Sequence, residues 1–284
     1  MSTAERDQLI GLLGGGPVAV ITGAGLSTGS GIPAYRDQHG QWQHSQPIQH
    51  QEFLNSPATR QRYWARSFVG WATMGGARPN RGHTALATLE ARGVVSTVIT
   101  QNVDGLHHAA GSQSVIELHG SIRQVCCLSC RASFLRSQVQ EWLQDANPDF
   151  DHDQARTARL APDGDAHLVG TVYARFTVPE CPECAGLLKP DVVFFGDNVP
   201  RERVERAQQA VQESATLLVV GSSLMVYSGY RFAEQAHRLG KPVIAINQGV
   251  TRADSLLTLK IEADCGEVLS GMVAESMDAE AISA

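Results

Sequence analysis

The chain has 284 residues, is 43% hydrophobic and carries a net charge of −6 at pH 7. That length suits one large domain, or a large and a small one, with a core that needs no disulfide staples. The acidity argues against nucleic acid as the main partner. No apolar run approaches the roughly 18 residues of a membrane span, and the acidic start (Met1 to Asp7) lacks a signal-peptide core, so no membrane association and a cytoplasmic location are expected.

Residues 3–12 read as an amphipathic helix ending at Gly14-Gly15-Gly16, and Pro17 to Thr22 as a short buried strand. Gly29 to Pro33 cannot continue a long helix, and residues 37–80, rich in Gln, Arg and Trp, read as loop and helix. His83 to Arg92 is a helix with Gly93 at its C-terminal cap, Val94 to Thr100 a strand, Asp104 to Ala110 a short helix closed by Gly111, and Val115 to Leu118 a third strand. The rhythm breaks over 124–188, where Asp149, Asp151 and Asp153 alternate in a polar stretch that reads as a solvated loop. It resumes with a strand at Val192 to Phe195, a helix at Arg201 to Glu213, a strand at Thr216 to Val220, a helix at Ser228 to Leu239 capped by Gly240, a strand at Pro242 to Ile246 and a final helix at 266–275.

Strands separated by helices imply an α/β fold: a Rossmann-like, doubly wound parallel sheet with a small zinc-binding insertion. The expected division is a dinucleotide-type domain from 1–36, 83–123 and 189–284, a helical module at 37–82, and a zinc domain at 124–188. The six cysteines support the insertion, because five fall in two tight groups. Cys127-x-x-Cys130 and Cys181-x-x-Cys184 supply four thiolates to one tetrahedral ion and leave no open position, so a structural zinc is expected. Cys126 is set aside because its spacing to Cys130 does not match the second pair. A redox Cys-x-x-Cys would need only one pair beside a thioredoxin-like unit, which is absent.

Ligands of open α/β sheets bind outside the carboxyl ends of the strands. Five polar loops follow predicted strands: Gly23-Ala24-Gly25-Leu26-Ser27, Gln101-Asn102-Val103-Asp104, His119-Gly120, Gly221-Ser222-Ser223 and Asn247-Gln248-Gly249. Small residues there let backbone N–H groups approach phosphate or ribose oxygens. Gly23-x-Gly25 falls short of the dinucleotide fingerprint, because Thr28 stands where a third glycine belongs and no acidic residue ends a second strand about 20 residues on. Read alone, it could equally be an ordinary strand-to-helix turn. His119 is the candidate general base, since imidazole accepts a proton near neutral pH. His107 and His108 read as partly exposed and without chemistry, and His83 as a residue that caps or packs a helix start.

Taken together, residues 23–36, 100–107, Leu118-His119-Gly120, the two Cys-x-x-Cys pairs, Lys189 to Gly196, Gly221 to Leu224 and Ile246 to Gly249 resemble the sirtuins, NAD-dependent protein deacylases. The likeness runs in collinear order from about residue 8 to 275. Ala34-Tyr35-Arg36-Asp37, Tyr63 to Arg66 and Leu160 to Asp165 look most like class II, the bacterial-type branch that includes a mitochondrial sirtuin. The resemblance implies catalytic roles for His119, Asn102 and Asp104. It implies NAD contacts from Gly23, Ala24, Gly25, Ser27, Tyr35, Arg36, Gln101, Gly221, Ser222, Ser223, Asn247, Gln248, Gly249 and Cys265. Val193, Phe195 and Gly196 would offer strand edges to an acyl-lysine peptide.

The implied reaction transfers the acyl group from lysine to ADP-ribose and releases nicotinamide and O-acyl-ADP-ribose. Desuccinylating sirtuins place a Tyr and an Arg three apart in the acyl tunnel. Tyr63 and Arg66 have that spacing, yet registering on Pro79 to His83 puts Ser67 and Gly70 at those positions, so no strong succinyl preference is expected. A monomer is expected. The alternatives are protein mono-ADP-ribosyl transfer, a nicotinamide-dependent dehydrogenase, and a catalytically silent zinc-bearing peptide reader.

Overall fold

The short β-branched runs of the sequence become the strands of a parallel sheet. The computed structural model describes residues 1–43, 47–150, 163 and 172–283. In chain order the elements are α1 (Thr3–Leu13), β1 (Val18–Thr22), α2 (Ala24–Ser27), α3 (His50–Asn55), α4 (Pro57–Gly76), α5 (Arg81–Ala91), β2 (Val95–Thr100), α6 (Leu106–Ala109) and β3 (Val115–Glu117). There follow β4 (Gly120–Cys127), β5 (Ser133–Leu135), α7 (Arg136–Ala146), β6 (Leu188–Val192), α8 (Arg201–Glu213), β7 (Thr216–Val220), α9 (Tyr227–Arg238), β8 (Val243–Ile246), β9 (Leu259–Ile261) and α10 (Cys265–Ser283). Asp151, Asp153 and Leu160 to Pro162 lie outside the described residues, whereas Asp149 is exposed as expected.

The main sheet runs β3-β2-β1-β7-β8-β9, with every neighbouring pair parallel. Numbered within this sheet alone, that is the 3-2-1-4-5-6 order of dinucleotide-binding folds, and the strand order reverses between β1 and β7. Every residue of β1, β7 and β8 is buried, because helices cover both faces. One face packs Val18, Val20, Leu218 and Ile244 against α1, α5 and α10. The other packs Ile21, Ile99 and Val219 against α8 and α9. α1 buries little, only Leu9 and Leu13. It is fixed at its start instead by a capping box between Ser2 and Glu5.

The second sheet is antiparallel, in the order β5-β4-β6. This corrects the sequence reading: the strand expected at Val192 to Phe195 is Leu188–Val192 and belongs to the small sheet, while β4, β5 and β9 were not expected. Pro190 fits there because β6 is an edge strand, where a missing N–H costs no ladder bond. Phe53, Trp64 and Phe68 of the helical segment share one core with Cys127, Leu143, Phe176 and Leu188, so the helical segment and the small sheet pack as one body. Among the described residues no helix is long and apolar enough to cross a membrane.

Candidate active site

Because all strands of the main sheet are parallel, their five polar loops meet at one edge. They line a cavity of about 760 Å³. Its floor is the switch point between β1 and β7. The Gly25 N–H donates to Gly221 O at 2.9 Å. A Cβ on Gly25 would lie 2.8 Å from that oxygen, and Gly221, at φ +58°, would place one 2.3 Å from the Leu26 nitrogen. Backbone meets backbone here, and only glycine allows it. Of the residues expected to touch cofactor or substrate, all but Gly249 line this cavity. Gly249 packs against the backbone of Gln38 instead (φ +88°), and the neighbouring Val250 N–H donates to Gln38 O at 3.0 Å.

The second loop is held by the first. Asn102 Nδ2 donates to Gly23 O at 3.1 Å and to Ser27 Oγ at 3.0 Å, and Ser27 donates on to Asp104 Oδ2 at 2.7 Å. The other Asp104 oxygen accepts the Leu106 N–H at 2.9 Å, which starts α6. Gln101 bridges to the third wall, donating from Nε2 to Ser222 Oγ at 2.7 Å and Thr22 O at 3.2 Å. A carboxamide and a carboxylate thus sit side by side in fixed orientation, with Asn102 Oδ1 and the further lone pairs of Asp104 left for a ligand.

His119 follows β3. Its Nδ1 is 2.9 Å from Gln101 O, which can only accept, so Nδ1 carries the proton and Nε2 is the basic nitrogen. Ser228 Oγ lies 2.8 Å from that Nε2. Burial pushes the His119 pKa down, Arg203 adds to the fall, and the Gln101 carbonyl opposes it. The ring is therefore neutral and able to accept a proton at pH 7.

Two further walls complete the cavity. Arg36 stacks over Trp42 at 4.2 Å and donates to Gly40 O at 2.7 Å, and Tyr35, Trp42 and Phe195 form an edge-to-face cluster. The Val193 N–H donates to His119 O at 2.8 Å and Phe195 O accepts from the His50 N–H at 2.8 Å. These two groups are therefore engaged within the chain, and the strand edge open to a peptide is narrower than the sequence suggested. At the far end Asn247 braces its own loop, donating to Gln248 O and Gly249 O. Cys265 donates to Ile246 O at 3.3 Å, and burial lifts its thiol to about 12, so it is a packing group and not a nucleophile.

The four cysteines expected as ligands converge, with all sulfurs within 4.8 Å of one another. Cys127 and Cys184 are 3.5 Å apart and Cys130 and Cys181 3.7 Å apart. A tetrahedral zinc with Zn–S of about 2.3 Å separates its sulfurs by about 3.8 Å, so the group fits the ion. Cys126 is not part of the cluster. It pairs with Lys189 and Ser133 across the small sheet.

Two residues depart from the sequence reading. His107 is buried, not partly exposed, because its ring fills the space beneath the Gln101–Asp104 loop and bonds Thr22 Oγ at 3.0 Å. Ser228 was not anticipated at all, since nothing in Tyr227-Ser228-Gly229 distinguishes it from any serine near a helix start. His83 does brace its helix start, accepting the Asn80 N–H at 3.3 Å.

The Sir2 family model matches residues 23–228. An NAD-dependent protein deacetylase of Bordetella bronchiseptica is 53% identical over 271 residues, 95% of this chain and 98% of the relative. Another from Xanthomonas axonopodis pv. citri is 55% identical over 251 residues, covering 88% and 85%. A solved Sir2 with p53 peptide and NAD+ superposes with a TM-score of 0.75 at 29% identity, and one bound to acetylated peptide with 0.76 at 28%. Both cover 95% of this chain and 98% of theirs.

Proposed function

The chain belongs to the Sir2 family and is an NAD-dependent protein deacetylase, and we propose that His119, Asn102 and Asp104 carry its chemistry. The reaction moves the acyl group from lysine to ADP-ribose, with water entering, and releases free lysine, nicotinamide and O-acyl-ADP-ribose. NAD, as co-substrate, supplies the ribose carbon that accepts the acyl oxygen and the nicotinamide that departs. Asn102 and Asp104 would hold the carboxamide end, a contact that favours loss of the neutral leaving group. His119 Nε2 then takes a proton from a ribose hydroxyl, freeing that oxygen to attack the acyl carbon.

The loop from Gly23 to Ser27, with Tyr35, Arg36 and Gln101, would hold the nicotinamide riboside and phosphates. The loop from Gly221 to Ser223, with Asn247, Gln248 and Cys265, would hold the adenosine end, with Gly249 a support for that loop. Val193, Phe195 and Gly196 would receive the peptide. One zinc, held by Cys127, Cys130, Cys181 and Cys184, would be structural, because four thiolates leave no open position for chemistry.

The observation that carries this assignment is the meeting of a glycine floor, the Asn102–Asp104 pair and a neutral His119 in one cavity. We further infer a class II member, from Ala34 to Asp37 and Tyr63 to Arg66, acting as a cytoplasmic monomer without nucleic acid. We further propose a dinucleotide domain from 1–36, 83–123 and 189–284, a helical module at 37–82 and a zinc domain at 124–188, the last two joined by a shared core and the zinc domain borrowing Gly120–Cys127 and Leu188–Val192 for its sheet.

Mass spectrometry of products tests the reading. Incubation with NAD and acetyl-lysine peptide should give nicotinamide and O-acetyl-ADP-ribose, and His119→Ala should lose about 10²–10⁴ of that turnover. Undiminished acyl transfer in His119→Ala would overturn the assignment. Nicotinamide release with ADP-ribose added to protein would move it to mono-ADP-ribosyl transfer.

A further inference from the structure

Ser228 stands at the start of α9, one residue inside its first turn, and its hydroxyl caps nothing in that helix. Among the described residues its partner is the Nε2 of His119, 2.8 Å away, and Ser228 lines the same cavity as the Asn102–Asp104 loop. The tautomer fixes the direction. With the proton on Nδ1 and aimed at Gln101 O, Nε2 can only accept, so the Ser228 O–H donates to it. The ring is thus held at both nitrogens, by groups from two different strand-end loops, and cannot turn about its Cβ–Cγ bond.

A hydroxyl differs from an amide or a carbonyl in one respect that matters here: it can reverse. Once Nε2 has taken a proton, the imidazolium presents an N–H where the neutral ring presented a lone pair. Ser228 Oγ then accepts from it without moving. Bonds to a charged donor are roughly twice as strong as those between neutral groups, so the serine favours the protonated ring more than the neutral one. The site needs that help. His119 is desolvated, and Arg203 of α8 lies against Gly120 and opposes positive charge on the ring. Arg203 is partly offset by Asp191 at 3.0 Å, while Arg231, one turn along α9, lines the cavity and adds positive charge, and Asp104 across it adds negative.

We propose that Ser228 relays the proton to His119: its O–H gives its own hydrogen to Nε2 while the ribose hydroxyl gives one to Ser228 Oγ, and Oγ afterwards accepts from Nε2–H. The inference rests on His119 being the base of the deacetylase reaction. It adds a residue on a different element, α9, to the loops that follow β2 and β3.

The test uses the full chain with 15N-labelled histidine, the His119 signal being identified by its loss in His119→Ala. In Ser228→Ala, titration without NAD should show the His119 pKa lower by about one unit, because the charged ring has lost its acceptor. Deacetylation kcat should fall about tenfold or more, with KM for NAD within about twofold, and nicotinamide formation should fall less than acyl transfer. Ser228→Thr keeps the hydroxyl and should retain both the pKa and most of the rate. Where Ser228→Ala does not fold, Ser228→Cys, a weak donor and acceptor of similar shape, gives the same comparison. An unmoved pKa in the alanine or cysteine variant, or equal losses in Thr and Ala, would overturn the proposal. A wild-type protein without NAD-dependent deacetylation would sink the assignment of His119 as base, while the titration would still decide whether Ser228 holds its nitrogen.

Discussion

His83 and His107 stand ring to ring beneath the active-site loop, their centroids 5.0 Å apart and their planes at 63°. Each is fully committed on one side. His83 Nδ1 accepts the Asn80 N–H, so its proton is on Nε2, which has no acceptor among the described residues. Thr22 gives its hydrogen to Thr100 Oγ at 2.9 Å, so His107 Nε2 must donate to Thr22, and Nδ1 has no donor among the described residues. Within the described residues, a donor without an acceptor thus neighbours an acceptor without a donor. The chain continues from Thr100 Oγ to the Asn102 N–H at 3.1 Å, so the pair braces the carboxamide loop from below.

Both rings must stay neutral, and that sets an acid limit on stability. Burial lowers the His83 pKa and takes that of His107 down to about 3, with His83 and His108 adding to the fall. In the unfolded chain each titrates near ~6.5. Above that value the contribution is constant. Below it the unfolded state binds protons that the folded state refuses, so stability falls as pH drops below ~6.5, by up to ~1.4 kcal/mol per pH unit and group, and for His107 this continues down to about 3. Urea midpoints measured between pH 7 and pH 5 should decline, and His107→Gln should flatten the slope. A slope that His107→Gln leaves unchanged would show that His107 is not among the groups responsible.

The thiolate cluster makes a separate prediction. Zinc content by mass spectrometry should be about one per chain and should vanish in Cys127→Ser and Cys181→Ser, while Cys126→Ser keeps it. Structural zinc in small domains contributes on the order of 10 kcal/mol to folding, so metal removal should melt the small sheet and abolish deacetylation. Zinc lost in Cys126→Ser but retained in Cys127→Ser would mean that the wrong neighbour had been assigned.

The glycine floor predicts a large effect from a single methyl group. Gly221→Ala combines a left-handed backbone with a Cβ 2.3 Å from the Leu26 nitrogen. A strained backbone of this kind costs about 1–3 kcal/mol before the clash is counted. NAD raises the melting temperature of any protein that binds it only when folded, and this shift should be abolished or nearly so in the variant. A full NAD-induced shift in Gly221→Ala would place the ligand elsewhere.

Acyl choice can be read from α4. Tyr63 lines the cavity, but Ser67 and Gly70, the positions that would carry an acidic-acyl clamp, are buried. Ser67 accepts hydrogen bonds from Arg136 through its carbonyl and hydroxyl, at 3.2 and 3.3 Å. Acetyl-peptide should therefore be turned over with kcat/KM at least about tenfold above the succinyl form, in line with the loss of one good charge-assisted contact. Succinyl turnover equal to or above acetyl would refute this.

The sequence carries five of the six strands of the parallel sheet almost to the residue, because strands covered on both faces read as unbroken apolar runs, but it missed the three-residue edge strand Leu259–Ile261, too short to show a pattern. Thr216–Val220 and the helix Arg201–Glu213 coincide with their expected limits. The antiparallel sheet did not show itself. Gly120–Cys127 buries an irregular pattern, and Leu188–Val192 contains a proline that reads as a break until its partner strand is known. In the site, the strand-end loops were legible because glycine, amide and carboxylate residues cluster within a few positions. His107 and Ser228 were not, because each takes its role from a partner 85 or 109 positions away, a distance at which local patterning carries no signal.

The strand β4 has a consequence beyond its own sheet. At one end Cys127, of the four-cysteine cluster, stands opposite Leu188; at the other Gly120, next to His119, stands opposite Val192, next to Val193. A slip of one residue between two strands turns every side chain to the opposite face. The pairing shifts register between Ser121 and Val125, so each end needs an anchor of its own. The near anchor is the hydrogen bond from the Val193 N–H to His119 O, and a zinc on the cysteines would be the far one, a gauge block that sets the spacing beside His119 without entering the chemistry.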